Sequence, residues 1–171
     1  MKQIVTAMAL LVVLGAGAQA YTGRNDNKFQ IGANFQENGT GLNISFDYGL
    51  GENISVGVSS TYLLGVNDAL KNNPIDDFNA KFDNRFDARV RFNANLGNVI
   101  NIDENFDLYP GLSLGLKNFG GHLGARYFFS QGFGLYTELN VPFAKYKTGT
   151  LTAPERLHNQ FTLNFGASFN L

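Results

Sequence analysis

Alternating apolar and polar positions dominate the chain from residue 29 onward. Period-two runs cover residues 29–35, 42–50, 54–64, 86–96, 106–116, 119–129, 133–143 and 161–171. Alternation of this kind is typical of β-strands with one apolar and one polar face. Short turns rich in Gly and Asn separate most runs, whereas residues 65–83 and 144–158 are longer polar connections. The pattern predicts eight strands joined as antiparallel neighbours.

Three features predict that the apolar face points outward into lipid. Both long connections follow odd-numbered strands, so they emerge at one end (the loop end) while both termini lie at the other (the terminal end). Strands of about 11 residues tilted by ~40° rise roughly 28 Å, close to the ~25 Å apolar band of outer-membrane barrels. Aromatic residues gather near the strand ends, around a belt of Ile, Leu, Val and Ala.

These aromatic residues form two predicted girdles, which two membrane interfaces select and a soluble core does not. The loop-end girdle comprises Phe35, Tyr62, Phe86, Phe119, Phe143 and Phe161. The terminal-end girdle comprises Phe29, Tyr48, Phe106, Tyr127, Phe129, Phe133 and Phe169. The predicted fold is therefore all-β: an eight-stranded antiparallel up-and-down transmembrane β-barrel.

The first 20 residues have the features of a cleaved signal peptide. Lys2 precedes an uncharged, mostly apolar run from Ile4 to Ala18, and Ala18-Gln19-Ala20 is a small-x-small cleavage site. The run is short for a membrane span, which needs about 20 apolar residues. We therefore assign residues 1–20 to the signal peptide and residues 21–171 to one barrel domain.

Composition and charge support this class and exclude others. The chain has 20 Gly, 16 Phe and 4 Pro, which favours strands and turns over helices. It has no cysteine, so neither a disulfide nor a lipid-anchoring cysteine is available. Without Lys2 it carries 12 basic and 14 acidic residues, a net charge of −2, which argues against a nucleic-acid partner.

The signal peptide, the eight amphipathic strands and the final Phe165-x-x-x-Phe169-x-Leu171 resemble small outer-membrane barrels of the OmpA/OmpX-like kind. The resemblance covers the whole mature chain. It implies a place in the bacterial outer membrane, contact with outer-membrane lipid, and insertion by the outer-membrane barrel assembly machinery. Phe165, Phe169 and Leu171 are the residues expected to form the assembly signal.

An outward apolar face places the alternate residues of each strand in the lumen. Four arginines, Arg85, Arg89, Arg91 and Arg126, then face four acids, Asp47, Asp87, Asp107 and Glu138. Glu138 has Arg126 on the neighbouring strand and Arg89 across the lumen as candidate partners. The interior of an eight-stranded barrel is only wide enough for its own side chains, and buried charges must pair. This lumen network is predicted to be a side-chain plug, whereas conducting porins use about 16 strands.

The favoured function is a structural or surface-interaction (adhesin-like) barrel, with an external ligand at residues 65–83 and 144–158. Two alternatives remain open: a barrel enzyme acting on outer-leaflet lipid through His122 or His158, and a soluble periplasmic barrel with a ligand inside. No serine motif accompanies either histidine, so no catalytic residue is assigned. We expect no cofactor and no metal site, although Asp68, Asp76 and Asp77 could offer oxygen ligands to calcium.

Overall fold

The computed structural model describes residues 19–171. The hydrophobic run of the predicted signal peptide lies outside the described residues. Within residues 19–171, no helix is both long enough and apolar enough to cross a membrane.

The described chain forms a closed barrel in which every strand is antiparallel to its two neighbours, and β1 pairs with β8 to close the ring. This confirms the predicted eight-stranded up-and-down fold. The strands are β1 (Asn27–Gln36), β2 (Gly39–Gly51), β3 (Ile54–Val66), β4 (Phe86–Ala94), β5 (Phe106–Gly115), β6 (Asn118–Ser130), β7 (Phe133–Lys145) and β8 (Thr162–Asn170).

The barrel wall has its polarity reversed relative to a soluble protein. In β2, Asn43, Ser45 and Asp47 are buried, whereas Ile44 and Phe46 between them are 37% and 38% exposed. The alternation places polar side chains in the lumen and aliphatic side chains on the outer surface. Soluble domains do the opposite, because apolar burial is their main source of stability.

At the loop end, two connections pack together over the barrel mouth. The β3–β4 connection contains 3₁₀ turns at Asp68–Leu70 and Asp76–Phe78 and the helix α1 (Phe82–Arg85), and the β7–β8 connection contains a 3₁₀ turn at Pro154–Arg156. A small apolar cluster joins the two connections, and its members are Leu63, Val66, Leu70 and Leu157. We call this pair of connections the lid.

At the terminal end, β4 stops two residues earlier than its alternation predicts. The pattern continued to Leu96, but the strand ends at Ala94 and the helix α2 (Gly97–Ile100) follows. The carboxylate of Asp107 accepts a hydrogen bond of 2.9 Å from the backbone N–H of Gly97. This bond holds the chain in a turn before β5, so the side chain at position 96 no longer belongs to a strand.

Candidate functional site

The middle of the lumen is built around one arginine and two acids. Arg91 projects inward from β4 and is 3% exposed. Its guanidinium donates to a carboxylate oxygen of Glu138 on β7 at 2.6 Å and lies 3.1 Å from a carboxylate oxygen of Asp47 on β2. The partner of Glu138 is therefore Arg91, not the expected Arg126 or Arg89, because Arg91 reaches across the lumen to it.

A second ion pair lies closer to the terminal end. Arg126 donates to Asp107 at 2.7 Å and to the side-chain oxygen of Asn95 at 2.9 Å. Its guanidinium lies 4.8 Å from the centre of the Tyr109 ring. Arg126 and Asp107 are both fully buried, so their charges are compensated within the lumen rather than by solvent.

A third pair lies toward the loop end, where Arg89 bonds Asp87 at 2.6 Å. Asp87 also accepts from the backbone N–H of Leu116, and Arg89 donates to the carbonyl oxygen of His158 at 3.3 Å. This pair thus connects the lumen network to the lid.

Arg85 was predicted to face the lumen, and the structure places it elsewhere. Its guanidinium donates to the carbonyl oxygens of Leu63 and Leu64 and lies 5.2 Å from the centre of the Tyr62 ring. Arg85 is the last residue of α1, so it precedes the strand whose alternation was used to place it. The loop-end rim, rather than the lumen, holds this cation.

The fourth lumen cation is Lys28, which the sequence analysis missed. Lys28 is 2% exposed and forms an ion pair with Asp26. It precedes Phe29, the first residue of the recognised alternating run, whereas β1 itself begins at Asn27. Extending the alternation one step back from Phe29 would have placed Lys28 in the lumen.

Glycines make room for the largest lumen side chains. Gly124 lies opposite Tyr109 in the β5–β6 register, and a Cβ atom at position 124 would overlap the Tyr109 ring. A Cβ atom at Gly111 would likewise overlap the imidazole of His122 on the neighbouring strand. The narrow lumen accommodates these rings because each one covers a glycine.

The N-terminal segment closes the terminal mouth of the lumen. Tyr21 is 2% exposed, and its single hydroxyl proton is shared between the carbonyl oxygens of Gly51 at 3.0 Å and Ile54 at 2.7 Å. Burial and the nearby Asp26 carboxylate raise the pKa of Tyr21 to about 12, so the hydroxyl keeps its proton for these bonds. Asp26 also accepts from the backbone N–H of Thr22, which fixes the segment over the mouth.

The lid closes the loop mouth through His158. Its backbone N–H donates to the side-chain oxygen of Gln36 at 2.7 Å, and its Nε2 lies 2.9 Å from the carbonyl oxygen of Arg85. The second contact requires a proton on Nε2, and Nδ1 then faces the side-chain amide of Gln36. Burial lowers the pKa of His158, which favours this neutral form.

Little free space remains between these layers. The cavity lined by Asn34, Asn43, Glu138 and their neighbours has a volume of about 10 Å³. One water molecule needs about 10–15 Å³, so this part of the lumen holds no more than a single water. A continuous aqueous pathway does not fit here.

The two histidines bond amide and carbonyl groups. In residues 19–171, the side-chain hydrogen-bond partners are Asn93 for His122, and Gln36 and the Arg85 carbonyl for His158. A nucleophilic mechanism needs a hydroxyl or thiol within reach of the base. The same described residues contain no group of three His, Asp or Glu side chains that could hold a metal ion.

A comparison with known protein families identifies the family of this chain. Residues 11–171 match the model of DUF6646, a family of unknown function. The chain belongs to the DUF6646 family. No curated protein matches it in sequence.

A solved structure shares the fold of this DUF6646 protein. The N-terminal β-barrel domain of OprF from Pseudomonas aeruginosa superposes with a TM-score of 0.55 at 11% sequence identity. The match covers 88% of the DUF6646 chain and all of the OprF domain. The DUF6646 protein therefore has an OmpA-like eight-stranded barrel fold.

The predicted girdle residues of the DUF6646 protein all lie on the outer surface. At the terminal end they form a continuous band across β1, β8, β7 and β6, in which successive ring centroids are 5.4–6.4 Å apart. The rings in this band are Phe29, Phe169, Phe133, Phe129 and Tyr127. Phe82, which the sequence analysis missed, stacks between Tyr62 and Phe86 at the loop end. It lies in α1, outside any alternating run.

The three residues expected to form the assembly signal also face outward. Phe165 is 52% and Leu171 is 74% exposed, and Phe169 belongs to the terminal-end aromatic band. Their side chains lie on one face of β8 and its C-terminal end, which leaves them accessible to a partner that contacts the outer wall.

Proposed function

We propose that this protein is a bacterial outer-membrane β-barrel with a side-chain-filled lumen that acts as a structural or surface-interaction protein. The observation that carries the proposal is the reversed polarity of the wall: charged residues are buried and paired inside, and aliphatic residues are exposed outside. A solvent-exposed belt of this size would be unfavourable in water, whereas lipid stabilises it.

The closure of both mouths supports a structural role over transport. Tyr21 and its segment close the terminal mouth, and His158 and its segment close the loop mouth. Between them, Arg91, Arg126 and their acids occupy the lumen. Moving an ion through it would require several buried ion pairs to separate, which is energetically costly.

The lid supports the surface-interaction part of the proposal. Three side chains of the lid are exposed: Ile75 is 58%, Phe78 is 38% and Tyr146 is 51% exposed, and all three lie in the connections between strands. The apolar cluster beneath, with Leu70 and Leu157, joins the two connections. A joined lid presents these side chains with little ordering cost on binding, so an external ligand at residues 65–83 and 144–158 is the proposed partner.

Fractionation and conductance together test the proposal. Expressed with its signal peptide in a Gram-negative host, the protein is expected in the outer-membrane fraction, with a gel mobility in detergent that changes on boiling. In planar bilayers, the reconstituted protein should give no steady porin-size current, because paired side chains fill the lumen. Recovery in the soluble periplasm with unchanged mobility, or reproducible porin-size conductance, would contradict it.

The lid needs its own test, because fractionation does not address binding. Whole cells displaying the wild-type barrel should adhere to a host-cell or matrix surface more strongly than cells displaying Phe78→Ser with Tyr146→Ser. Leu64→Ser, an exposed change on the wall of β3, is the matched control. Equal adhesion of all three, at equal surface display, would remove the surface-interaction role and leave the structural one.

A further inference from the structure

An apolar groove crosses β2, β3, β4 and β5 on the outer wall. Its volume is about 600 Å³. Its floor includes Ser60 and Ala88, which face each other in the β3–β4 register and whose side chains are too small to fill the wall. The groove is bordered by Ile44, Phe46, Val58, Phe86, Leu114 and Leu116.

The groove lies in the loop-end half of the wall. Phe86 is the first residue of β4 at the loop end, and Leu116 directly follows the loop-end residue Gly115 of β5. In an outer-membrane barrel this half contacts the outer leaflet. The groove therefore opens toward outer-leaflet acyl chains, and its open end meets the headgroup region.

Two cations adjoin the loop end of the groove in the sequence. Arg85 directly precedes Phe86, and Lys117 directly follows Leu116, so both continue the borders of the groove. Arg85 bonds the carbonyl oxygens of Leu63 and Leu64, and Lys117 bonds the carbonyl oxygen of Asp83. Neither cation forms an ion pair with any residue in the range 19–171, so both keep their charge for an external anion.

We propose that this groove is a binding site for an anionic, phosphate-bearing lipid of the outer leaflet. One acyl chain lies along Ser60 and Ala88, and the phosphate lies against Arg85 and Lys117. Charge complementarity selects the headgroup, and the apolar border selects the chain. This inference rests on the proposed membrane location, since the groove would otherwise face water.

Retention of lipid by the folded barrel tests the site. The probes are phosphatidylglycerol and phosphatidylcholine of equal chain length, mixed into detergent micelles and counted on the protein by native mass spectrometry. The wild type should retain one phosphatidylglycerol in preference to phosphatidylcholine. Arg85→Gln and Lys117→Gln should each lower that preference roughly fivefold, the effect of one cation near a membrane surface.

Matched variants separate the site from general effects. Arg85→Lys should keep the preference, and Arg156→Gln, which removes an exposed cation from the lid, should leave it unchanged. Ala88→Leu should reduce retention of both lipids by filling the floor, whereas Ala125→Leu on β6 should not. The boiling-dependent gel mobility of each variant reports its folding separately from its lipid binding. Loss of folding or insertion would therefore count against the proposed function and not against the lipid site. Equal retention of both lipids by the folded wild type, or full retention by Arg85→Gln with Lys117→Gln, would overturn the lipid site.

A separate set of contacts bears on where the signal peptide is cut. Ala20 is 1% exposed and packs against Phe128, and its backbone N–H donates to the carbonyl oxygen of Glu104 at 2.7 Å. The Gln19 side chain contacts Asn98. Cleavage after Ala20 would remove these contacts and place a charged amino group on Tyr21, which is buried in the terminal mouth.

The geometry points to cleavage two residues earlier, after Ala18. Ala16-Gly17-Ala18 is itself a small-x-small site, so the sequence permits this cut. The mature chain would then begin at Gln19 and keep Ala20 as part of the terminal closure.

The amino terminus of the protein recovered from the membrane fraction decides the cut. We expect it at Gln19. Ala16→Leu should move the cut to the next small-x-small site and leave Tyr21 at the amino terminus, because position 16 is a recognition position only for the earlier cut. Gly17→Ala, at the unrestricted position, is the control and should be processed normally. A wild-type terminus at Tyr21 or uncut wild-type protein would overturn the inference, as would a terminus at Gln19 in Ala16→Leu.

Discussion

The two faces of the barrel wall use the same strands for opposite purposes. On the inner face, side chains contact specific partners: Arg91 contacts Glu138, Arg126 contacts Asp107, and Tyr109 covers Gly124. On the outer face, Val58, Val90 and Leu114 are each more than half exposed and present only aliphatic surface. Specific pairing therefore stabilises the lumen, whereas general compatibility with an apolar medium stabilises the exterior. Substitutions on the two faces should therefore destabilise the barrel for different physical reasons.

The largest expected effect is loss of the central lumen cation. Arg91→Met leaves Glu138 and Asp47 buried without their partner, and breaking a buried pair costs about 3–5 kcal/mol. Urea unfolding of the barrel in lipid vesicles measures the loss. The control is Lys71→Met, which removes an exposed partner of Asp68 and should cost no more than about 1 kcal/mol. Equal effects of the two changes would show that the lumen pairs are solvated.

A charge on the outer face should cost slightly less. Leu163 faces outward and pairs with Leu139 at the middle of β7. Leu163→Arg is expected to destabilise the inserted barrel by about 2–4 kcal/mol, because the bilayer core solvates Arg poorly. The neighbouring Asn164→Ser, in the lumen, should be milder. If vesicle unfolding shows that both are tolerated equally, the outer face does not contact lipid.

Filling a glycine position beneath a lumen ring should have an intermediate effect. Gly124→Ala places a methyl group against Tyr109 and is expected to cost about 1–3 kcal/mol through overpacking. Gly132 in the β6–β7 turn has open space around it, so Gly132→Ala should change stability by no more than about 0.5 kcal/mol. Thermal loss of the folded gel mobility compares them. A cost at position 132 that matches position 124 would contradict the close fit of the lumen rings.

The smallest expected effect is on the lid and depends on pH. Burial lowers the pKa of His158 below its unfolded value of about 6.5, so the opened lid binds a proton more readily than the closed lid. Lid closure should therefore weaken as pH falls below about 6.5, and protease cleavage within residues 146–161 should become faster. His158→Gln should remove this pH dependence. A wild-type cleavage rate that is independent of pH, after correction for protease activity, would contradict the assignment.

The fold was predictable because alternation is a property of the whole chain. Each strand repeats the same two-residue period. An error in the predicted start or end of one strand therefore does not affect the prediction of the other strands. Three of the residues whose positions were missed or wrongly predicted lie where the chain leaves that period. Arg85 and Phe82 lie in α1, and Leu96 precedes α2, so their directions depend on turns that no alternation describes.

Partners across the lumen were harder to predict than the lumen itself. Position in a strand shows that Glu138 faces inward, but its bond to Arg91 joins β7 to β4, which are not neighbours. Such a contact depends on the diameter and stagger of the closed barrel. The closure of the two mouths by Tyr21 and His158 was not predicted, because both residues lie outside the strands and alternation gives no direction for their side chains.

The direction of the two faces is the central claim, and tryptophan fluorescence tests it most directly. The chain contains no tryptophan, so one introduced residue gives the whole signal. Phe165 lies on the outer face, and Tyr136, opposite Gly166 at nearly the same height, lies in the lumen. In vesicles with brominated acyl chains, Phe165→Trp should be strongly quenched and Tyr136→Trp should keep most of its emission. Strong quenching of Tyr136→Trp alone, or equal quenching of both, would contradict a barrel with lipid outside and a closed polar lumen.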